Sequence, residues 1–170
     1  MGTMQTDDPS LTTRLEGSEG KDPTRIILDE DLAISEKAKL LRLDSDSDTV
    51  LFTGRGVPES KKKRIENMGA RVIETTLEND RIDLNALMVQ LGDMGIMSLL
   101  IEGGSGIFSS ALSAGIVDKV VLFYAPKILG GDDGIPMFRG RGPALMSEGL
   151  SVKDIRYQRI DDDIMVEGYL

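Results

Sequence analysis

Ser98-Leu-Leu-Ile-Glu102-Gly-Gly-Ser-Gly106-Ile-Phe-Ser-Ser-Ala-Leu-Ser-Ala-Gly115-Ile-Val-Asp-Lys-Val-Val-Leu-Phe-Tyr-Ala-Pro-Lys127-Ile-Leu-Gly-Gly131 reads as a buried strand, a glycine turn, a short helix and a second buried strand. Leu99, Leu100 and Ile101 form the short apolar run expected of a strand covered on both faces. The run stops at a carboxylate, Glu102, followed by glycines at 103, 104 and 106, where a helix begins. The first amides of a helix have no intrahelical partner and lie at the positive end of its dipole, so a phosphate can rest there. Glu102 falls where the strand delivers its last side chain to the mouth of the sheet, the edge at which open α/β sheets bind ligands. A second reading stays open: a tight strand-to-helix connection whose glycines serve only to allow positive φ.

The turn is not a dinucleotide-binding Rossmann fingerprint. Gly104-x-Gly106 needs a third small residue at 109, and Ser109 is a poor match. That fingerprint also belongs to the first strand–helix turn, with an acid about 20 residues further on. Here the turn comes late in the chain.

Upstream, strands and helices alternate. Arg25–Leu28 is predicted as a strand, Ser35–Leu43 as a short helix or irregular crossing, and Thr49–Thr53 as a strand ending at Gly54-Arg55-Gly56. Ser60–Met68 reads as a helix closed by Gly69 in a left-handed C-cap, and Arg71–Glu74 as a strand. Asp83–Leu91 is an amphipathic helix with Leu84, Leu87, Met88 and Leu91 on one face and Asp83 as its cap. Gly131–Gly149 is a loop; Lys153–Arg159 and Ile164–Tyr169 form a hairpin-like pair. Strands separated by helices imply right-handed crossovers and a mostly parallel sheet with an antiparallel end.

With 170 residues the chain suits one domain able to bury roughly 70% of its unfolded surface. It contains no cysteine and no histidine. Disulfides, thiolate metal sites, the commonest zinc ligand and the usual general base are therefore all excluded. A net charge of −9 argues against nucleic acid or an anionic membrane as a partner. Met1–Ser10 has neither an apolar core nor a basic start, and no apolar run approaches the roughly 18 residues of a membrane span. A soluble cytoplasmic protein without a signal peptide is expected.

Several charged features read as surface. Asp161–Asp163 is an acidic turn, Lys61–Arg64 wraps around a helix start, and Asp44–Asp48 lacks the glycine and distal glutamate of a calcium loop. The nine methionines are core filler.

Glu102-Gly-Gly, Ala114-Gly115-Ile-Val-Asp118 and Tyr124-Ala-Pro-Lys127-Ile-Leu-Gly-Gly131 together resemble the reductase domain of bacterial riboflavin biosynthesis. Thr3-Met-Gln-Thr-Asp7-Asp8-Pro9-Ser-Leu11-Thr12-Thr-Arg14 resembles that family's Thr-x-x-x-Asp-Asp-Pro-x-Leu-Thr-x-Arg segment, and Pro23-Thr-Arg25-Ile-Ile-Leu-Asp29 its Pro-x-Arg-apolar-Asp strand. The match runs in order across the whole chain. The resemblance implies an α/β, dihydrofolate-reductase-like fold: a mostly parallel central sheet, helices on both faces and an antiparallel C-terminal end. It implies NADPH as cofactor, reduction of the ribosyl group of 5-amino-6-(5-phosphoribosylamino)uracil to the ribityl form, and a homodimer.

By the same resemblance Thr3, Asp7 and the turn Gly104, Ser105, Gly106, Ile107, Phe108, Ser109 and Ser110 meet NADPH. Leu11, Arg14 and Glu102 meet the substrate, with Arg14 clamping the ribose phosphate. Glu102 is the candidate catalytic residue, orienting the substrate. Thr53 and Arg55 are candidate contacts to the adenosine 2′-phosphate. Hydride transfer asks little of side chains beyond positioning, which suits a chain without histidine.

The family's domain also begins with a strand carrying a substrate-side lysine, a Ser-x-Trp-Ile-Thr turn and an arginine-bearing helix, and its bifunctional form carries a zinc deaminase. None of these precedes Met1-Gly-Thr-Met. A single reductase domain over 1–170, N-terminally truncated and without a deaminase domain, is therefore expected. Exposed strand edges and low activity in isolation should follow. Two alternatives stand beside it: dihydrofolate reductase or another pterin or pyrimidine reductase, and a non-catalytic nucleotide-binding subunit or fragment.

Overall fold

The computed structural model describes residues 4, 6–15, 20–140 and 142–170. The chain divides into two compact units, Met1–Leu99 and Leu100–Leu170.

The first unit is built on three parallel strands in the order β1 (Arg25–Leu28), β2 (Thr49–Thr53), β3 (Arg71–Glu74). The register sets Ile27 beside Leu51 and Leu51 beside Val72. All five residues of β2 are buried, which is why its sequence is an almost unbroken apolar run rather than an alternation. From β1 to β2 the chain passes through a 3-10 turn, Lys39–Arg42, that buries Leu40 and Leu41. From β2 to β3 it passes through α1 (Glu59–Glu66), which buries Ile65. Gly69, at φ +94°, ends that passage in the left-handed conformation the sequence called for. Ile27, Leu32, Ile34, Leu40, Leu41, Leu51, Ile65 and Val72 form one continuous core.

After β3 a small hairpin, β4 (Leu77–Glu78) and β5 (Arg81–Ile82), turns through Asn79 and Asp80, both at positive φ. Sequence reading missed it, although Asn-Asp tolerates the left-handed pair that a tight hairpin needs. α2 (Leu84–Asp93) starts as expected at Asp83, whose carboxyl accepts from the amides of Asn85 (2.9 Å) and Ala86 (3.1 Å). Leu84, Leu87 and Leu91 are buried along one face.

The second unit contains α3 (Ser105–Ser113) and an antiparallel sheet of β6 (Lys119–Tyr124), β7 (Lys153–Ile160) and β8 (Asp163–Tyr169) in the order β6-β8-β7. The β7–β8 hairpin has an irregularity between Lys153 and Arg156. Lys119 Nζ lies 2.6 Å from Glu167 Oε2, a diagonal cross-strand pair, and 5.6 Å from the centre of the Tyr169 ring. The hydrogen bond to Glu167 raises the Lys119 ammonium above its ordinary value, and the same bond lowers the Glu167 carboxyl.

Two expectations are corrected. Leu99–Ile101 is not a strand; Leu99 is 37% and Leu100 79% exposed. An apolar run records hydrophobicity, whereas a strand also needs a ladder, and no described residue supplies one. Lys119–Tyr124 is a strand but not a buried one, with Val121 and Phe123 exposed, because its sheet leaves much of both faces open. None of the described helices is long and apolar enough to cross a membrane.

Arg25 is only 3% exposed, yet it opens β1. Its guanidinium donates to Thr49 Oγ1 (2.9 Å), to Ser45 Oγ (3.3 Å), to the Ser47 carbonyl and to Asp22 Oδ2 (3.5 Å). Asp22 in turn accepts from the Ser45 hydroxyl (2.8 Å) and the Thr13 amide (2.9 Å). The cluster fastens the polar Asp44–Asp48 loop and the N-terminal segment to the start of the sheet. The Ser45 hydroxyl, then the Thr13 amide, then the Arg25 charge hold the Asp22 carboxyl below its usual range. A lowered carboxyl adds stability above its unfolded value, about 3.9, and loses it as pH falls through the lower folded value. Asp22→Asn is therefore expected to lower the melting temperature near neutral pH, with the two melting curves converging below about pH 4. Parallel curves down to the acid limb would show that the cluster contributes no such term.

Candidate functional site

The carboxyl edge of the first unit's sheet is organised by Asp29, the residue after β1. It has no exposed surface. A buried carboxyl needs partners, and here both oxygens have one: Oδ1 accepts from the Ala33 amide and Oδ2 from the Ile34 amide, each at 2.8 Å. Leu32, inside this turn, is fully buried at φ +52°, a conformation that leucine rarely adopts. The neighbouring Glu30 carbonyl accepts from two groups at the end of β2, the Thr53 hydroxyl (3.1 Å) and the Gly54 amide (2.9 Å). A Cβ on Gly54 would sit 2.7 Å from Leu77 Cδ1 and 3.0 Å from the Glu30 carbonyl oxygen, so glycine lets the two strand ends meet without displacing either neighbour. Beyond this lock come the exposed Arg55 and then Gly56, at φ +82°.

Thr53, expected at the 2′-phosphate, is fully buried and its hydroxyl proton goes to Glu30. Arg55 is the exposed member of that pair. Thr53 also accepts, through its carbonyl, the Thr75 amide at 2.8 Å, and Thr75 Oγ1 receives Gln90 of α2 at 2.7 Å. The β2 end is thereby tied to both neighbours.

The candidate substrate segment is fastened at two points. Asp8 Oδ1 accepts the Lys39 amide at 2.9 Å; Thr13 donates its amide to Asp22 and its hydroxyl to the Lys21 carbonyl. Asp8 and Leu11 between them have positive φ, +42° and +52°. Asp7 and Arg14 are exposed and Leu11 half-buried. Arg14 follows directly on the anchored Thr13, so the buried Arg25 cluster fixes the backbone from which Arg14 projects. Thr3 lies outside the described residues.

Glu102 and the Gly104–Ser110 turn belong to the second unit. Glu102 is exposed, and α3 starts three residues later. No side chain caps the helix; the Gly104 carbonyl accepts from the Ile107 (3.1 Å) and Phe108 (3.2 Å) amides. The loop after β6 returns to this first turn: the Arg139 amide donates to the Ser105 carbonyl at 3.2 Å, and Phe138 meets Phe108 edge to face at 6.5 Å. With glycine at 104 and 106 the helix start carries little side-chain bulk. Among the described residues no group of three or more metal-ligating side chains occurs.

Asp29 and Glu30 were missed as site residues. The available signal was an acid ending an apolar run, the same one that drew attention to Glu102.

The fold is shared with a solved Acinetobacter baumannii RibD structure, which superposes with a TM-score of 0.80 at 23% identity, over 99% of this chain and 44% of that one. This confirms the α/β, dihydrofolate-reductase-like architecture. The family model of the RibD C-terminal domain matches residues 1–166, and the chain belongs to that family. The riboflavin biosynthesis protein PYRR of Arabidopsis thaliana is 34% identical over 99% of this chain and 27% of its own length. The 2,5-diamino-6-ribosylamino-4(3H)-pyrimidinone 5′-phosphate reductase of Methanothermobacter thermautotrophicus is 29% identical over 98% of this chain and 76% of that protein. The chain thus spans about a quarter of the plant protein and about three quarters of the Methanothermobacter one.

The Gly54 contact can be checked by stability alone. Gly54→Val should cost about 1–3 kcal/mol through overpacking against backbone. Gly92→Ala, in α2 where a Cβ meets nothing within 4 Å, should stabilise by about 0.5–1 kcal/mol. Chemical denaturation of the two variants reads both signs.

Proposed function

We propose that this chain is an NADPH-dependent reductase of riboflavin biosynthesis, acting on 5-amino-6-(5-phosphoribosylamino)uracil or its diaminopyrimidinone counterpart. The observation that carries the proposal is the family match across residues 1–166, joined to the anchored Asp7–Arg14 segment that presents Arg14 to solvent. The name of the Methanothermobacter relative supports a phosphoribosylaminopyrimidine as substrate. A phosphosugar needs a cationic clamp, whereas a pterin does not, and Arg14 offers the forked donor.

When bound, the reduced nicotinamide supplies a hydride. The acceptor is the imine carbon of the ring-opened ribosylamine; with hydride on carbon and a proton on nitrogen, C=N becomes CH–NH and the sugar becomes ribityl. The residues of the chain bind and orient. The helix start within Gly104–Ser110 takes the diphosphate, Asp7 and Thr3 complete the cofactor's contacts, and Arg55 meets its 2′-phosphate. Arg14 and Leu11 hold the phosphoribose, and Glu102 orients the substrate as the catalytic residue. Positioning of this kind accounts for much of the barrier in a reaction without an activated nucleophile.

We further read the chain as a cytoplasmic homodimer. The second unit supports a dimer: a cross-strand row of Leu122, Val166 and Tyr157 continues to Ile155 and Ile164, and Tyr157 is 81% exposed, a patch suited to a second copy. Sedimentation of the purified chain gives the mass directly.

Two substitutions test the site. Gly104→Val should block close approach of the diphosphate and lower NADPH affinity at least tenfold, about 1.4 kcal/mol, with little change in melting temperature. Unchanged NADPH binding would return the turn to a purely structural role. Arg14→Ala should weaken the phosphorylated substrate far more than NADPH, and Arg14→Lys should restore part of the loss. If Arg14→Ala discriminates phosphorylated from dephosphorylated substrate as well as the parent does, Arg14 is not the clamp.

A further inference from the structure

We infer that Asp29 is a positioning residue for dinucleotide selection: through the Glu30 carbonyl it fixes the Gly54–Gly56 turn from which Arg55 meets the 2′-phosphate of NADPH. The inference rests on the NADPH reading above.

Asp29 cannot touch a ligand itself. It has no exposed surface, and both its oxygens are taken by the amides of Ala33 and Ile34. What it does is hold a turn against its own preference. Leu32 sits at φ +52° with its side chain fully buried, and a non-glycine residue in that region persists only where its surroundings impose it. A simple strand end requires neither the buried acid nor the left-handed leucine. Such outliers gather at sites where geometry matters to function.

The geometry imposed is that of one carbonyl. Asp29 donates its amide to the Phe52 carbonyl (2.9 Å) and accepts the Leu32 amide on its own carbonyl (3.0 Å), so the backbone on both sides of Glu30 is held. The Glu30 oxygen then receives the Thr53 hydroxyl and the Gly54 amide. Two acceptances use both lone pairs of a carbonyl. Gly54 is buried, and a Cβ there would lie 3.0 Å from that oxygen and 2.7 Å from Leu77 Cδ1, so the fit around the carbonyl is close. Arg55 is the first side chain to leave it and is exposed. A guanidinium on a fixed backbone loses less conformational freedom on meeting a phosphate than one on a free loop. NADPH and NADH differ only in that 2′-phosphate, so the consequence of the lock is selectivity rather than general affinity.

The experiment measures NADPH and NADH dissociation constants by fluorescence titration on the full 170-residue chain and its variants. Asp29→Asn keeps the shape but turns one acceptor into a donor facing an amide; Thr53→Val removes the hydroxyl bond to Glu30, and Thr53→Ser keeps it. In Asp29→Asn and Thr53→Val the NADPH constant should rise at least about fivefold while that for NADH moves less than about twofold, and Thr53→Ser should match the parent. Arg55→Ala should lose the same selectivity, and Asp29→Asn/Arg55→Ala should be no worse than Arg55→Ala alone, since the first residue acts through the second. Equal losses for both cofactors, no loss for either, or additive losses in the double variant overturn the inference. Should Asp29→Asn fail to fold, the Thr53 pair still decides. A parent that binds neither dinucleotide overturns the reductase reading, and this inference falls with it.

Discussion

A four-residue strand with a buried charged side chain at each end sets the geometry of the first unit. β1 begins with Arg25 and is followed directly by Asp29; neither reaches solvent appreciably, so each must find its partners within the fold. Arg25 finds them in the segment before β1 and in the loop leading into β2; Asp29 finds them in the turn after β1. Loops are the parts of an α/β fold least constrained by a core. Here the loops that frame the sheet are registered to it by hydrogen bonds of low-dielectric strength. The apolar middle of the strand, with Ile27 against Leu51, supplies burial; its two ends supply direction.

The same arrangement bears on how a chain without histidine or cysteine would carry the proposed reductase chemistry. Side chains that touch ligands need not be reactive if the backbone presenting them is fixed. Arg14 follows an anchored Thr13, Arg55 follows a locked Gly54, and the first turn of α3 is met by the loop carrying Phe138 and Arg139. Arg14 and Arg55 each stand one residue from a well-bonded anchor.

Local signals in the sequence were reliable. The run Thr49–Thr53, the cap at Asp83, the left-handed Gly69 and the hairpin spanning 153–169 each depend on residues close in the chain, and all four stand in the structure. What could not be read depends on distant partners. Leu99–Ile101 has the composition of a strand but no ladder among the described residues, and Thr53 looks like a contact yet spends its hydroxyl on Glu30. Arg25 looks like an ordinary polar strand end, because nothing in a linear pattern shows that Thr49 and Ser45 will arrive from the far side of the crossing. Asp29 finds its amides close by, but only through the left-handed Leu32 that a leucine does not announce. The start of α3 after the glycines was legible, because a glycine run that ends at a helix is a local signal.

The order β6-β8-β7 places the last of these strands in the middle of its sheet. A nascent chain that has emerged from the ribosome only as far as β7 holds two strands with no edge in common, separated by a long glycine-rich loop. They stay unpaired until β8 is made and bridges them. The parallel sheet of the first unit has no such delay, since its strands pair in the order in which they are synthesised. Synthesis therefore produces a half that can close early and a half that must wait. During that wait the backbone amides and carbonyls of β6 and β7 stand unpaired, and the interval is when a chaperone has most to do.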